Sequence, residues 1–337
     1  MPALAVARAL QAEGADVEFV GGDRHETVLV PQAGYTLHRL ALAPLPRGRK
    51  PVAITRAVAV NADAVGRADS LVRKLRPAAV LGGGGYAAGP LGLAAALRRV
   101  PLVLIEIDSH LGVTNRLLAP FAKRVCLAFP IDGKRGVGGG RFIVTGRPVL
   151  PASTDAAAAR RRFGIDSDQV CVLVSGGSQG ARSINQAALQ AFAGSSFRVL
   201  HAAGERDLPS LQSPGPHYDL RGFIDNFGDA LAAADLVVGR SGGSVFEIAA
   251  AGKPAVLVPY PHAAADHQTD NARYLQRAGA AVVIPDAELT GPRLAQEVGR
   301  LLVDRSRLAA MARASAGLAR PDAAAEIAAE VMRVARH

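Results

Sequence analysis

Short apolar runs alternate with longer alanine-rich stretches along the whole chain, and this alternation limits the possible fold more than any other feature. Runs rich in Val, Leu and Ile stand at Val17 (VEFV), Ala79 (AVLG), Leu102 (LVLIE), Arg124 (RVCLA) and Arg141 (RFIV). They resume at Cys171–Ser175, Phe197 (FRVLHA), Leu236 (LVVG), Ala255 (AVLVP) and Ala281 (AVVIP). Helical patterns lie between them, among others at Pro90–Arg99, Gln179–Phe192, Val245–Ala251 and Thr269–Ala278. Strands that are apolar on both faces, each followed by a helix, predict parallel sheets covered on two sides. The expected fold class is α/β.

Composition narrows the function classes. The 337 residues suffice for about two domains. A hydrophobic content of 49% excludes a disordered chain. Two cysteines, Cys126 and Cys171, exclude a disulfide scaffold, and both sit in apolar runs as expected of reduced, buried thiols. No apolar run reaches the ~20 residues of a membrane helix. The opening MPALAVARAL has no basic segment of a secretory signal. The net charge of +10 suits an acidic partner, whether nucleic acid, nucleotide or anionic membrane. With only 4% aromatic residues there is no stacking platform for single-stranded nucleic acid. The basic residues Arg67, Arg73, Lys74, Arg76, Arg98, Arg99, Lys123 and Arg124 are spread over helices. Most of these read as ordinary solvated faces; those of the first half, beside Leu71, Val72 and Leu97, also suit a basic–apolar face for membrane contact.

The segment Gly146–Pro151, with one glycine and two prolines, marks the domain boundary, and a new helix is expected from Asp155. Expected domains are residues 1–147 and 148–320, with 321–337 as a final amphipathic helix packing back on the first domain. The chain opens with a helix over Pro2–Ala12, Pro being favoured in a first turn. A doubly wound domain begins with a strand that lies in the middle of its sheet. The expectation is therefore that the true start lies upstream, since a missing central strand removes core packing and ladder hydrogen bonds together.

Five segments carry candidate chemistry. Val174–Arg182 (VSGGSQGAR) joins a strand to a helix, where glycines allow close backbone approach and free N–H groups favour an anion. By itself it is equally a tight turn with no ligand. Gly239–Glu247 (GRSGGSVFE) repeats the arrangement, with Glu247 in the first helical turn. There it either complements the helix dipole or holds two ribose hydroxyls. Pro259–Asn271 holds His262, Asp266, His267 and Gln268; two prolines and the lack of cysteine argue against a metal and for a sugar-facing loop. Gly82–Pro90 offers exposed amides suited to a diphosphate, or else a floppy loop. Ile105–Arg116 puts Glu106, Asp108 and His110 at a strand's C-terminal end.

In this order the segments resemble the MurG family of peptidoglycan N-acetylglucosaminyltransferases. Gly176–Arg182 matches its GGSQGAR turn, Gly84–Pro90 its glycine-Tyr loop, and Glu106–Arg116 in part its Glu-Gln-Asn and Thr-Asn-Arg stretch. Ala122–Pro130 resembles its AKRV segment, Thr145–Val149 its interdomain TGNPV, Phe223–Asp225 its Phe-Ile-Asp, and Pro261–Ala272 its donor loop. The resemblance covers essentially the whole chain. It implies the GT-B fold, two Rossmann-like doubly wound domains facing a cleft, with the acceptor and membrane on the first and the UDP-sugar on the second.

The reaction implied transfers N-acetylglucosamine from UDP-N-acetylglucosamine to the muramyl sugar of lipid I, with inversion, giving lipid II and UDP. Donor residues implied are Asp108, Ser178, Gln179, Gly180, Ile224, Gly243, Ser244, Glu247, His267 and Gln268. Acceptor residues implied are Gly83, Gly84, Gly85, Tyr86 and Asn115. Glu106 is the one candidate catalytic group, because the family's glycine-rich loop and His ahead of Pro2 have no counterpart here. The family Asn at 108 is Asp, the Arg expected at 150 is Leu, and the 242–247 turn is one residue short. No metal or cofactor is required. Expected partners are the two substrates, an anionic membrane surface at the cytoplasmic face, and cell-division and cell-wall synthesis proteins, with no nucleic acid. Alternatives are a non-catalytic nucleotide-sugar binder and another UDP-sugar enzyme of this scaffold, such as an epimerase.

Overall fold

The computed structural model describes residues 2–23, 26–42, 51–131, 140–149, 153, 155–177, 180–263 and 266–336, with backbone only for 51–59 and Tyr86. It divides into two compact units, Met1–Val149 with Asp322–His337, and Leu150–Pro321.

The first unit runs α1 (Pro2–Ala12), β1 (Phe19–Gly21), α2 (Glu26–Gln32), β2 (Leu37–Arg39), α3 (Pro51–Leu75), β3 (Val80–Gly82) and α4 (Gly85–Leu97). It continues with β4 (Leu102–Glu106), α5 (Val113–Leu118), β5 (Arg124–Leu127) and β6 (Phe142–Val144). Its strands form two parallel sheets, β1-β2 and β3-β4-β5-β6. All five residues of β4 are buried, and successive side chains go to opposite faces. Val103 and Ile105 pack with Val6, Leu10 and Cys126. Leu102 and Leu104 pack with Val80, Leu118, Val125 and Leu127.

The second unit runs α6 (Ala156–Arg162), β7 (Cys171–Ser175), α7 (Arg182–Ala191), β8 (Arg198–Ala202), β9 (Tyr218–Arg221), α8 (Phe227–Ala233) and β10 (Leu236–Gly239). It ends with α9 (Ser244–Ala250), β11 (Ala255–Leu257), α10 (His267–Arg277), β12 (Ala281–Val283), α11 (Gly291–Val303) and α12 (Arg305–Gly317). Its six strands are parallel in the order β9-β8-β7-β10-β11-β12, the doubly wound arrangement with the first strand at the centre. Val172, Val174, Ile184, Ala188, Val199, Val256 and Val298 form the core on one side of this sheet. After the second unit, α13 (Ala323–Ala335) returns to the first. Ile327, Ala328, Val331 and Val334 join Val6 and Leu10 of α1, and Arg124 donates to Glu330 across 3.0 Å.

Several expectations shift. The strand expected at Val17 is Phe19–Gly21. Strands β2 and β9 escape the sequence pattern because both are edges, alternating polar residues such as Arg39, Asp219 and Arg221 with apolar ones. The tetraglycine run is not a floppy loop: Gly82 belongs to β3 and Gly85 to α4, leaving Gly83 and Gly84 as the connection. α7 starts at Arg182, not Gln179, since Gly180 has φ +71° and Ala181 is extended. Val72 is buried with Leu40, Ala68 and Ala94, which removes it from the expected membrane face. Cys126 and Cys171 are buried, and burial pushes both thiols up to about 12.

Ile327 is fully buried between α13 and the first sheet. Ile327→Ala should cost about 2–5 kcal/mol in denaturant unfolding. Hydrogen exchange should accelerate in α1 and β4 while the second unit's strands keep their protection.

Candidate active site

In the second unit the strand order reverses between β7 and β10, the place where open parallel sheets hold ligands beyond their C-terminal ends. Both expected glycine loops leave from this point, as Ser175 pairs with Gly239 in the register. A side chain at Gly239 would meet the Ser175 carbonyl oxygen at 2.7 Å, so the strand ends come together only because Gly239 has none. The same holds within the first loop. A Cβ on Gly176 would lie 2.3 Å from the Ala181 nitrogen, and one on Gly180 only 2.2 Å from the Ala203 oxygen. Ser178 and Gln179 lie outside the described residues. α7 opens at Ala181 with no side-chain cap, whereas α6, α8, α11 and α12 are capped by Asp155, Asn226, Thr290 and Asp304. Among the described residues no side-chain hydrogen bond caps the first N–H groups of α7, which suits an anion.

Below this loop runs a buried polar chain that the sequence reading missed. Tyr218 Oη lies 2.7 Å from His201 Nδ1, and His201 Nε2 lies 3.0 Å from Asn185 Oδ1. Asn185 Nδ2 donates to the Ala203 oxygen and to Asp207 Oδ2. The carbonyl and carboxylate fix Asn185 as donor through Nδ2, so neutral His201 donates from Nε2 and accepts at Nδ1 from the Tyr218 hydroxyl. The chain thus holds the Ala203 carbonyl, the surface against which Gly180 is seated. The Arg206 guanidinium beside Asp207 keeps its carboxyl below the usual carboxylate range. The signal in the sequence was a His inside an otherwise apolar strand, RVLHA.

A second, partly buried polar cluster joins the remaining loops. Arg240 Nη1 donates to Asp286 Oδ1 at 2.5 Å and to the Val258 and Pro259 oxygens at 3.1 Å, while Nη2 reaches Ser183 Oγ at 2.9 Å. Its guanidinium lies over the Tyr260 ring. Ser241 Oγ donates to the Gln268 carbonyl oxygen, and Asn271 Nδ2 to the Ser241 oxygen. Gln268 Oε1 accepts from the Tyr260 N–H at 3.0 Å, which orients its side-chain amide toward Gly242. One arginine and one buried serine therefore lock the 240–243 and 259–268 loops together. Gly243 precedes α9, Ser244 begins it, and half-buried Glu247 lies in its first turn. Ile224 is buried after β9, beside exposed Phe223. His267 opens α10, and Asp266, at φ +54°, accepts from Thr269 Oγ1.

In the first unit, Glu106 ends β4 and is 3% exposed. Its carboxylate accepts from the Gly112 N–H at 2.7 Å, the Asp108 N–H at 3.2 Å and Asn115 Nδ2 at 3.0 Å. Three donors on a buried carboxylate make Glu106 the organiser of the 107–112 loop, not a group presented to a substrate hydroxyl. Asn115 is buried, and among the described residues its Oδ1 has no partner while Nδ2 also donates to the Ile105 oxygen. It stands beside Gly84, where φ is +78°; Gly85, at +73°, and exposed Gly83 flank it. Asp108 is half-buried in the same loop, and the Tyr86 side chain lies outside the described residues.

The solved structure of Acinetobacter baumannii MurG superposes with a TM-score of 0.76 at 28% identity, over 98% of this chain and 95% of that one. Fold and site together define a glycosyltransferase of the GT-B class. The N-terminal domain model of glycosyltransferase family 28 matches residues 1–127, and its C-terminal domain model matches residues 171–327. The chain belongs to glycosyltransferase family 28. A relative in Moorella thermoacetica is 43% identical over 96% of this chain and 92% of its own length. Another, in Rubrobacter xylanophilus, is 40% identical over 98% and 99%. Both are named UDP-N-acetylglucosamine--N-acetylmuramyl-(pentapeptide) pyrophosphoryl-undecaprenol N-acetylglucosamine transferase.

Burial pulls His201 down to about 4, from its ordinary value of 6.5. Between those values the unfolded chain binds a proton that the folded chain refuses. Stability is then full above pH 6.5 and falls as pH drops toward 4, by up to about 1.4 kcal/mol per pH unit. Denaturant unfolding at pH 7 and pH 5 should show this loss, and His201→Gln should flatten it.

Proposed function

We propose that the protein transfers N-acetylglucosamine from UDP-N-acetylglucosamine to undecaprenyl-pyrophosphoryl-N-acetylmuramoyl-pentapeptide, lipid I, giving lipid II and UDP. The observation that carries this reading is likeness to transferases of that name over nearly the full length of both chains. The glycine-lined switch point of the second unit supports it, because it offers backbone donors to a diphosphate at the end of a doubly wound sheet. In this reading Gly180, with Ser178 and Gln179, faces the diphosphate. The Ile224 backbone meets the uracil, and Glu247 the ribose hydroxyls. Gln268, fixed by Tyr260, meets the sugar with His267, and Gly243 and Ser244 line the phosphate side. Asp108 completes the donor contacts. Gly83, Gly84, Gly85, Tyr86 and Asn115 face the acceptor diphosphate. Stabilisation of the departing UDP comes from preorganised amides and dipoles, so no metal or cofactor is required.

The acceptor is a lipid, and the first unit carries a surface suited to its membrane. Leu97, Leu117 and Phe121 are 67%, 66% and 60% exposed, with Leu93 and Val113 also exposed. Exposed Arg98, Arg99, Arg116 and Lys123 border them. Apolar side chains rimmed by cations favour an anionic bilayer surface. Among the described residues no helix is long and apolar enough to cross a membrane. The reading is a peripheral protein at the cytoplasmic face, with cell-wall synthesis and division proteins as further partners.

Two experiments test this. UDP release should depend on both UDP-N-acetylglucosamine and a lipid I analogue, and should persist in EDTA. Glu247→Ala should raise the apparent KM for the donor by the equivalent of about 1–3 kcal/mol, and Gln268→Ala should also raise it. Turnover of the donor without a lipid would instead indicate an epimerase, and donor binding without turnover a non-catalytic binder. Separately, the protein should bind vesicles containing phosphatidylglycerol and release them at high salt. The triple variant Leu97→Glu, Leu117→Glu, Phe121→Glu should lose vesicle binding while keeping activity on a soluble acceptor analogue.

A further inference from the structure

Arg240, the first residue after β10, gathers the ends of strands that lie side by side in the sheet, β7, β10, β11 and β12. Beyond β11 it donates to the Val258 and Pro259 oxygens, each at 3.1 Å. Beyond β12 it donates to Asp286 Oδ1 at 2.5 Å, and its Nη2 donates to Ser183 Oγ at 2.9 Å, on the helix that follows β7. Ser183 Oγ in turn donates to the same Asp286 oxygen at 2.7 Å, so the three side chains close a triangle. Asp286 is its anion. The Arg240 side chain is 11% exposed, and the Asp286 carboxylate balances its charge and holds it in place.

The triangle reaches Gln268 through Tyr260. Pro259 and Pro261 have no N–H, so the Tyr260 N–H is the one backbone donor of residues 259–261, and it goes to Gln268 Oε1 at 3.0 Å. The segment is held from its other side by Arg240. The guanidinium takes the Val258 and Pro259 oxygens and lies over the Tyr260 ring, 5.4 Å from the ring centre. Turning Arg240 away would release Pro259 and Tyr260, and with them the bond that aims the Gln268 amide toward Gly242. Asparagine at 286 would keep the shape of the carboxylate but remove its charge. Arg240 would then stand without its counter-ion beside the first turn of α7.

We propose that Asp286 is a positioning residue for the sugar half of the donor, acting through Arg240 and Tyr260 on Gln268. The inference rests on the reading of this site as one for UDP-N-acetylglucosamine. It divides donor binding into two parts that respond differently to Asp286. The diphosphate meets backbone N–H groups whose course is set by the packing at Gly176, Gly180 and Gly239. The sugar meets a side chain whose direction is set by the triangle. Loss of the Asp286 charge therefore leaves UDP affinity intact, or raises it because an unbalanced guanidinium stands near the anion. Affinity for the sugar and the rate of its transfer fall, because the reacting carbon is less well placed.

Calorimetry with UDP and with UDP-N-acetylglucosamine, on the full chain and on Asp286→Asn, tests this. In the variant UDP should bind within about twofold of the unchanged protein or tighter, while UDP-N-acetylglucosamine weakens about tenfold. The kcat should fall on the order of 10- to 100-fold. With no ligand present, hydrogen exchange of the Tyr260 amide should speed up about fivefold in Asp286→Asn while the β7 amides keep their protection. Ser183→Ala removes one side of the triangle and should show the same split at smaller size, including where Asp286→Asn does not fold. Equal weakening of UDP and UDP-N-acetylglucosamine would overturn the proposal, as would an unchanged Tyr260 amide. Normal donor binding with no split overturns the proposal alone. Failure of the unchanged protein to bind UDP-N-acetylglucosamine overturns the donor reading, and the proposal with it.

Discussion

The pairing of β7 with β10 is the constraint on which the second unit depends. Two strands that are distant in sequence meet at the centre of the sheet, and their following loops must leave side by side without collision. Gly239 permits this by leaving room for the Ser175 carbonyl, and Gly176 and Gly180 permit the first loop to fold back on Ala203. The ligand-facing backbone is therefore not a flexible addition to a rigid sheet. It is the direct result of removing side chains at three positions where the strands and their loops crowd most.

Polar groups then fix what the glycines allow. Half-buried Arg240 has four oxygen acceptors on three separate segments, and Ser241 and Asn271 staple α10 to the β10 loop. His201, Tyr218 and Asn185 do the same from below. Burying such groups carries a desolvation penalty that their hydrogen bonds offset, so the clusters favour the arrangement of the loops that makes those bonds. In the first unit Glu106 plays the corresponding part, spending its carboxylate on the 107–112 loop.

Much of this was legible in the sequence, for physical reasons. Central strands such as Cys171–Ser175 and Leu102–Glu106 are buried on both faces and read as unbroken apolar runs. Helices α6 and α9 were placed within a residue, since Asp155 is a strong cap and the glycines before Ser244 halt the strand. Edge strands β2 and β9 were invisible because polar residues such as Arg39, Asp219 and Arg221 break up their short apolar pattern. The family resemblance gave the order of the site loops. It did not give Arg240 with Asp286, or Asn185 with His201, because these partners lie 46 and 16 residues apart and only the folded sheet brings them together.

The return of α13 to the first unit has a consequence for how the chain comes to be built. The second unit is one continuous stretch, Leu150–Pro321, and all its strands are available once that stretch has left the ribosome. The first unit, although synthesised earlier, keeps Val6, Leu10 and Val103 without their covering helix until Ile327 and Val331 emerge. The order of synthesis and the order of completion are thus reversed. The half that begins translation waits, with one face of its core open, for the last helix to close it.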